Sequence, residues 1–393
     1  MMRQFTNVEK ARIRLLIDRE IDFTLIQPTA TGLKKSILDA THRVRQYLVK
    51  HELHDYKNQK QGPYHKKYLP FYYLSKSMKK YKASLYRPLT KKGDPRIWFE
   101  HFREYSQPDD IIVIIGIKSV LYLINLTQER LEDLSKDKNS NVYKIVFKHF
   151  SKKESPIALE LLGKLKEISV SGPHLTINPS DTGVGATLEK LLGLPINSSK
   201  KPDYKGIELK SYREFGSSNR MNLFAQVADW SISKYKSSKE VLDEFGYNRD
   251  GNFKLNCTIS TIVRNSQGLK FFLKDNVNYL IENSDKKDIG DFLKWDVSFL
   301  HQRLIEKHPE TFWIKAKNIK RKSREYFHYT NIIHTSNPLI EQFDLLLSQG
   351  DITMDHLIKS TKTGGTKERG PLFKINKNSV GLLFQSYLEH NLN

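Results

Sequence analysis

Residues 181–214 read DTGVGATLEKLLGLPINSSKKPDYKGIELKSYRE, and the fold turns on how this stretch is parsed. Asp181 or Thr182 offers a side-chain acceptor to the free backbone N–H groups that open a helix. Val184, Leu188, Leu191 and Leu192 recur at i, i+4, i+7 and i+8, so that helix packs one side inward, and Gly193 can end it. Glu189 sits beside the apolar stripe, not on the opposite solvent face. Pro202 and Asp203 then lead into Ile207-Glu208-Leu209-Lys210. Side chains alternate along a strand, which sends Ile207 and Leu209 to a core and Glu208 with Lys210 to the other face.

These residue types suit one chemistry. Hydrolysing a phosphodiester needs a hard cation to offset charge on the phosphate and a deprotonated water for in-line attack. Two carboxylates, Asp203 and Glu208, are the ligands Mg²⁺ prefers, with waters and phosphate completing the octahedron. Lys210 is in reach of both the phosphate and the attacking water, and Glu189 can hold a water on the metal or support a second ion. An acid two residues before a lysine is a weak signal by itself, since Asp55/Lys57, Asp203/Lys205 and Asp285/Lys287 share it. Taken alone, Glu208 and Lys210 also fit a salt bridge on a strand. The specific signal is the whole set: capped helix with Glu189, then Pro202-Asp203, then Glu-Leu-Lys on a strand.

Downstream the pattern reads as a strand over 221–230, then a hairpin of LNCTISTIV and LKFFLKD joined by Arg264-Asn265-Ser266-Gln267-Gly268. Two helices, 338–348 and 379–388, flank a glycine-rich basic loop. The order predicts an α/β (α+β) domain with a mixed sheet flanked by helices over 172–393. Ser171-Gly172-Pro173 is a loop signal, and the boundary to an N-terminal domain of residues 1–165 is expected there.

Composition narrows the partners. The chain has 393 residues, with 65 lysines and arginines against 44 acids and a net charge of +21. Such charge repels itself unless a polyanion shares the surface, and nucleic acid is the commonest one. The single Cys257 excludes an intramolecular disulfide and a cysteine zinc cluster. The opening residues carry charge where a signal peptide has its apolar run, so a cytoplasmic location is expected. The most apolar stretch, 111–126, is broken by Lys118 and too short for a membrane span. It reads instead as two buried strands, IIVIIGI and VLYLINL, around a turn.

The N-terminal half starts with a strand over 22–26 and a helical run, LKKSILDATHRVRQYLVKHEL, whose inward positions are Ile37, Val44, Leu48 and Leu53. From 57 to 96 the basic residues are Lys57, Lys60, Lys66, Lys67, Lys76, Lys79, Lys80, Lys82, Arg87, Lys91, Lys92 and Arg96, with Asp94 as the one acid. Tyr64, Tyr68, Tyr72, Tyr73, Tyr81 and Tyr86 are interleaved with them. Basic side chains reach phosphates, and tyrosines add contact area and hydroxyls, so Lys79, Lys80, Lys82, Arg87, Lys91, Lys92 and Arg96 are candidate DNA contacts. In the C-terminal half Arg213, Arg220, Lys320, Arg321, Lys322, Lys367 and Arg369 are candidates of the same kind. A solvated basic surface is the alternative reading for each. His328 and His334 fit either DNA contact or ordinary packing.

GVGATLEKLLG…PDYKGIELKS resembles the active-site block of the MvaI/BcnI and MutH group of PD-(D/E)xK nucleases, in the Asp203-x₄-Glu208-x-Lys210 spacing and the step from Glu189. The similarity extends through TFWIKAK, REYFHYTNIIHTSNPLIEQFDLLLSQGDITMDH and GGTKERGPLFKI. It implies a type II restriction endonuclease with Asp203 and Glu208 as Mg²⁺ ligands, Lys210 catalytic and Glu189 an auxiliary acid. It further implies double-stranded DNA as substrate, a cognate DNA methyltransferase as genetic partner, and action as a monomer. SLYRPLTKKGDPRIWFEHFREYSQPDDIIVI resembles, more weakly, the mostly β pseudobarrel DNA-recognition domain of EcoRII-type enzymes. A MutH-like nicking enzyme and a non-catalytic DNA-binding protein on a decayed nuclease fold remain the rival readings. Against the second, Asp203, Glu208 and Lys210 are all intact.

Overall fold

The apolar runs do form a hairpin in the computed structural model, and Lys118 and Ser119 at its tip both take positive φ, 47° and 64°. A two-residue turn with both central residues left-handed matches the twist of the strands it joins. The structure describes residues 2–19, 21–74, 79–148, 155–180, 182–194, 202–214, 218–249, 251–273, 278–361, 363–368 and 370–392. The chain divides into two units, Met1–Lys152 and Lys153–Asn393.

Strands of the first unit are β1 (Thr24–Ile26), β2 (Leu38–Asp39), β3 (Lys67–Tyr73), β4 (Tyr81–Tyr86), β5 (Arg96–Phe99), β6 (Ile112–Ile117) and β7 (Val120–Asn125). They make one sheet in the order β1-β6-β7-β3-β4-β5-β2, in which β3 and β7 run parallel. Its helices are α1 (Asn7–Ile17), α2 (Ala30–Lys35), α3 (His42–Lys50), α4 (Phe102–Tyr105) and α5 (Leu131–Leu134). Val44 and Leu48 of α3 pack with Phe71, Leu85, Ile97, Phe99, Ile114 and Leu123 of the sheet. The helical run expected over 33–53 is broken. Ser36 turns left-handed (φ 56°) at the end of α2, and Leu38 is drawn into the sheet opposite Ile97 before α3 begins.

The second unit starts with α6 (Pro156–Val170), capped by Ser155 with proline in its first turn. Leu161 and Leu165 of α6 lie in one core with Phe312 and Phe327. This packing puts α6 with the second unit, so the division falls ahead of the helix, at Lys152/Lys153, and not at Ser171-Gly172-Pro173 behind it. The further helices are α7 (Gly183–Leu191), α8 (Ser238–Phe245), α9 (Val297–Lys307), α10 (Ile340–Ser348) and α11 (Val380–Leu383). The strands are β8 (His174–Leu175), β9 (Glu208–Arg213), β10 (Arg220–Ala225), β11 (Tyr247–Arg249), β12 (Asn252–Ile259), β13 (Leu269–Leu273) and β14 (Tyr279–Ser284). They continue with β15 (Asp291–Asp296), β16 (Glu310–Arg321), β17 (Arg324–Pro338), β18 (Ile352–Ser360), β19 (Thr366–Glu368), β20 (Leu372–Asn376) and β21 (Phe384–Asn391).

Three sheets result. One runs β21-β17-β16-β9 with β8 added to β17; a second runs β10-β20-β18-β12-β11 with β19 on β18; the third is β13-β14-β15. The mixed α+β architecture expected from the sequence is present, with β9 parallel to β16. Two local readings are corrected. The turn at 264–268 forms, with Asn265 Oδ1 accepting from Gln267 N and Leu269 N. It nevertheless joins two different sheets, because both edges of β12 are taken by β11 and β18 while β13 pairs with β14. Residues 379–388 are helical only over α11; from Phe384 the chain extends and pairs with β17. Among the described residues no helix is long and apolar enough to cross a membrane.

Candidate active site

The site begins with a turn. Tyr204 and Ile207 exchange both backbone hydrogen bonds at 2.8 Å, and Lys205 and Gly206 between them take φ of 46° and 95°. The next residues outward, Asp203 and Glu208, therefore face each other across a two-residue hairpin on one side of it. The five-residue step between these carboxylates is the step around that turn. Asp203 Oδ2 accepts from Leu209 N at 3.0 Å, which fixes the acid against the strand. Buried Tyr204 anchors the turn by donating to Glu160 Oε1 at 2.7 Å, and Lys205 pairs with the same carboxylate.

Alternation along β9 holds as expected. Ile207 and Leu209 are buried in the core of α6 and α7. Glu208, on the other face, is 1% exposed, and Lys210 is partly exposed. Lys210 Nζ lies 2.6 Å from Glu208 Oε1, and Lys307 Nζ lies 2.8 Å from Oε2. Both contacts are ionic, and neither carboxylate oxygen accepts a well-directed hydrogen bond. Burial pushes the Glu208 carboxyl above its ordinary range; Lys210 opposes this and Asp203 adds to it.

Lys307 was not singled out in the sequence. It is the last residue of α9, and the stretch around it (LIEKHPE) carries no motif. Next to it, His308 is fully buried and stacks on Trp313 at 5.3 Å. Its ring nitrogens meet Thr311 Oγ1 at 3.0 Å and the Leu223 carbonyl at 2.9 Å. Burial, with Lys210 and Lys307 nearby, pushes His308 down to about 3, so its ring is a neutral structural wall of the site.

Glu189 comes from α7, which packs on β9. Gly185, one turn earlier, stands where an added Cβ would lie 3.5 Å from Ser211 Oγ and 3.9 Å from Glu189 Oε1. Burial raises the Glu189 carboxyl, the charge of Asp203 raises it further, and Lys210 opposes both. Of the expected stripe of α7, Val184 and Leu188 are buried, whereas Leu191 is exposed and Leu192 only partly buried. The helix ends at Leu191, and beyond Leu188 the chain reaches only the margin of the core, where Leu192 and Leu194 pack against it. Thr182 sits at the N-cap without a side-chain cap bond, and Asp181 lies outside the described residues.

The donor set fits a hard divalent cation. Asp203 is exposed, Glu189 half-buried and Glu208 buried with two oxygens short of directed donors, a gradient from solvent inward. Among the described residues no three His, Cys, Asp or Glu side chains are gathered tightly enough to cage a metal. Mg²⁺ does not require such a cage, since it keeps several waters and binds through one or two carboxylates.

The model of the MvaI/BcnI restriction endonuclease family matches residues 162–384, more than half of the chain and all of this site. The chain belongs to the MvaI/BcnI restriction endonuclease family. Among solved structures, restriction endonuclease MvaI in complex with its cognate DNA substrate is similar at 21% identity with a TM-score of 0.53, covering 61% of this chain and all of that one. MvaI in the absence of DNA is 20% identical with a TM-score of 0.38, covering 62% of this chain and all of that one. No curated protein matches. The family match starts at residue 162, so the first unit lies outside it.

Within this family member the basic candidates divide by what they already hold. Lys320, Arg321 and Lys322 are exposed at the tip of the long β16–β17 hairpin, where Lys322 takes φ of 47°. Lys367 is exposed on β19, and Arg369 lies outside the described residues. Arg213 pairs with Glu325 at 3.3 Å and lies over the Phe327 ring. Arg220 donates to Asp355 at 2.8 Å and to Thr353 at 2.7 Å. In the first unit Lys79, Lys80, Lys82, Lys91 and Lys92 are exposed. Arg87 donates to the carbonyls of Gly93 and Gln59, and Arg96 pairs with Asp39, so both support local structure. His328 meets Ser169 Oγ at 3.4 Å and His334 meets Glu310 at 2.8 Å.

Proposed function

We propose that this protein is a type II restriction endonuclease that hydrolyses phosphodiester bonds in double-stranded DNA at a specific sequence, with Mg²⁺ as cofactor. The reading is supported above all by Asp203 and Glu208 facing each other across the 204–207 turn, with Lys210 on the same strand and Glu189 on the adjoining helix. Membership of a restriction endonuclease family supports the nuclease class and a duplex substrate, and the cognate DNA substrate in the MvaI complex supports DNA.

Asp203 and Glu208 would hold Mg²⁺, which when bound supplies a Lewis acid for the phosphate and an acidified water. Lys210 offsets charge on a non-bridging phosphate oxygen and orients the attacking water. Lys307, on the other oxygen of Glu208, adds a second positive charge at the same point. Glu189, whose carboxyl is raised, accepts a proton from water more readily than an exposed acid does. The exposed cations at the β16–β17 tip and on β19 approach the duplex, and the first unit supplies a further DNA-binding surface. EcoRII-type sequence recognition is our reading of that unit.

The test is incubation with unmodified phage DNA and Mg²⁺. Discrete fragments with one common end sequence are expected, with no cleavage in EDTA and none by Asp203→Asn. Full cleavage in EDTA would overturn the cofactor, and a smear without common ends would overturn sequence specificity.

A further inference from the structure

The two faces of the first unit's sheet differ in burial. Phe71, Tyr73, Ala83, Leu85, Ile97 and Phe99 alternate onto one face and fill the core. At the β6 end the opposite face is also buried, with Val113, Ile115 and Ile124 at most 3% exposed. Towards β3 and β4 that same face opens and turns aromatic. Register sets Tyr122 beside Tyr72 and Tyr68 beside Ser84, with Tyr86 two residues further along β4. The rings of Tyr72 and Tyr122 stack at 5.7 Å and 15°. Tyr68 is 58% exposed, and the other three are half-buried.

The charge around these rings is one-sided. Lys66 Nζ lies 4.8 Å from the Tyr86 ring centre, and Lys80 and Lys82 are exposed beside and on β4. Glu100, at the β5 end, accepts from the Lys82 backbone. A partner for this face is therefore a polyanion that also presents flat apolar surfaces. Duplex DNA meets the first condition but keeps its base faces stacked inside. A single strand meets both, because each unpaired base offers a π-face to an aromatic ring while its phosphates meet lysines.

We infer that this face is a stacking platform for the unpaired bases of single-stranded DNA, a binding activity separate from the nuclease site and independent of the nuclease reading. The full-length protein in EDTA is titrated with a fluorescein-labelled oligothymidylate, about 12 nucleotides long to span one such site, and with a duplex of equal length. Iodouracil-substituted strands are photocrosslinked and the adducts mapped by mass spectrometry. Tyr72→Ala and Tyr122→Ala should each weaken single-strand binding about tenfold, since a base–aromatic stack carries that much. Duplex affinity should fall far less than single-strand affinity, and crosslinks should fall on Tyr68, Tyr72 or Tyr122. Tyr72→Phe keeps the ring pair and should bind as wild type, which separates stacking from loss of fold. Unchanged affinity in both alanine variants, an equal loss in Tyr72→Phe, an equal loss for duplex, or crosslinks confined to residues 153–393 would each overturn the inference.

Discussion

Lys307 meets Glu208 Oε2 from the end of α9, 2.8 Å away, while Lys210 holds Oε1 from the same strand. A carboxylate 1% exposed is thus charge-balanced from two elements that enter the site at unrelated points of the chain. Replacing Lys307 by methionine keeps the stem and removes the ammonium. The buried carboxylate then leans on Lys210 alone, and such losses typically cost about 1–3 kcal/mol. Lys307→Met should lower the unfolding midpoint of the metal-free protein, and excess Ca²⁺ should restore part of the loss by taking over the charge. Thermal unfolding with and without Ca²⁺ measures both. A variant as stable as wild type in EDTA would show that the contact balances nothing.

Gly206 tests the turn that brings the two carboxylates together. At φ of 95° a β-carbon is strained, although the space around it is open. Gly206→Ala should cost about 1–2 kcal/mol and shift Asp203 relative to Glu208. Cleavage should fall by about tenfold or more, because misplacing a catalytic group by about 1 Å has costs of that size. Ala in place of Lys190, on the exposed side of α7, is the control and should leave the rate unchanged. Steady-state cleavage of a plasmid gives both rates.

This turn also marks how far the sequence carried. Ile207 and Leu209 inward against Glu208 and Lys210 outward follow from strand alternation alone, and α7 with Glu189 follows from its stripe. Short-range pattern was enough because those residues lie on continuous elements. Lys307 was invisible for the opposite reason: its partner is set by how α9 delivers its last residue to a strand far away in sequence. The failed hairpin at 264–268 and the tail strand β21 have the same cause. Turn chemistry and local propensity were read correctly at Asn265 and Gly268, but strand partners are chosen by the edges that β18 and β17 leave free. In the first unit the break at Ser36 was missed because burial of Leu38 outweighs the helix propensity around it.

Lys210 and Glu189 should differ in weight. Lys210 is the one lysine on β9 itself and touches Glu208, so Lys210→Ala should reduce single-turnover cleavage by several orders of magnitude. Glu189 stands on the neighbouring helix as a half-buried acid whose carboxyl is already raised. Glu189→Gln preserves shape and removes the charge, and should cost about tenfold to a hundredfold, within the usual range for one acid–base group. Rapid-quench cleavage of a labelled duplex ranks the two. Equal losses would mean that Glu189 is as directly engaged as Lys210.

The first unit carries its own pH signature, set by Glu9. This side chain completes the capping box of α1 with Thr6, accepts from Thr127 Oγ1 at 2.6 Å, and pairs with Arg3. Burial works against its charge, yet the hydrogen bonds from Arg3, Thr127 and Thr6 prevail and lower its carboxyl to about 2. An unfolded glutamate titrates near 4.3. The folded value lies below the unfolded one, so the contribution is fully present above the unfolded value. It is lost as pH falls from about 5 through about 2, because the unfolded chain then binds the extra proton. The full contribution is of order 3 kcal/mol. Glu9→Gln should remove it at pH 7 and flatten the acid limb of the stability curve between about pH 5 and 2. Hydrogen exchange of peptides from α1, followed over that range, isolates this unit from the rest of the chain. If wild type and Glu9→Gln lose protection in parallel as the pH is lowered, the acid sensitivity of α1 originates elsewhere, and Glu9 serves only as a neutral cap.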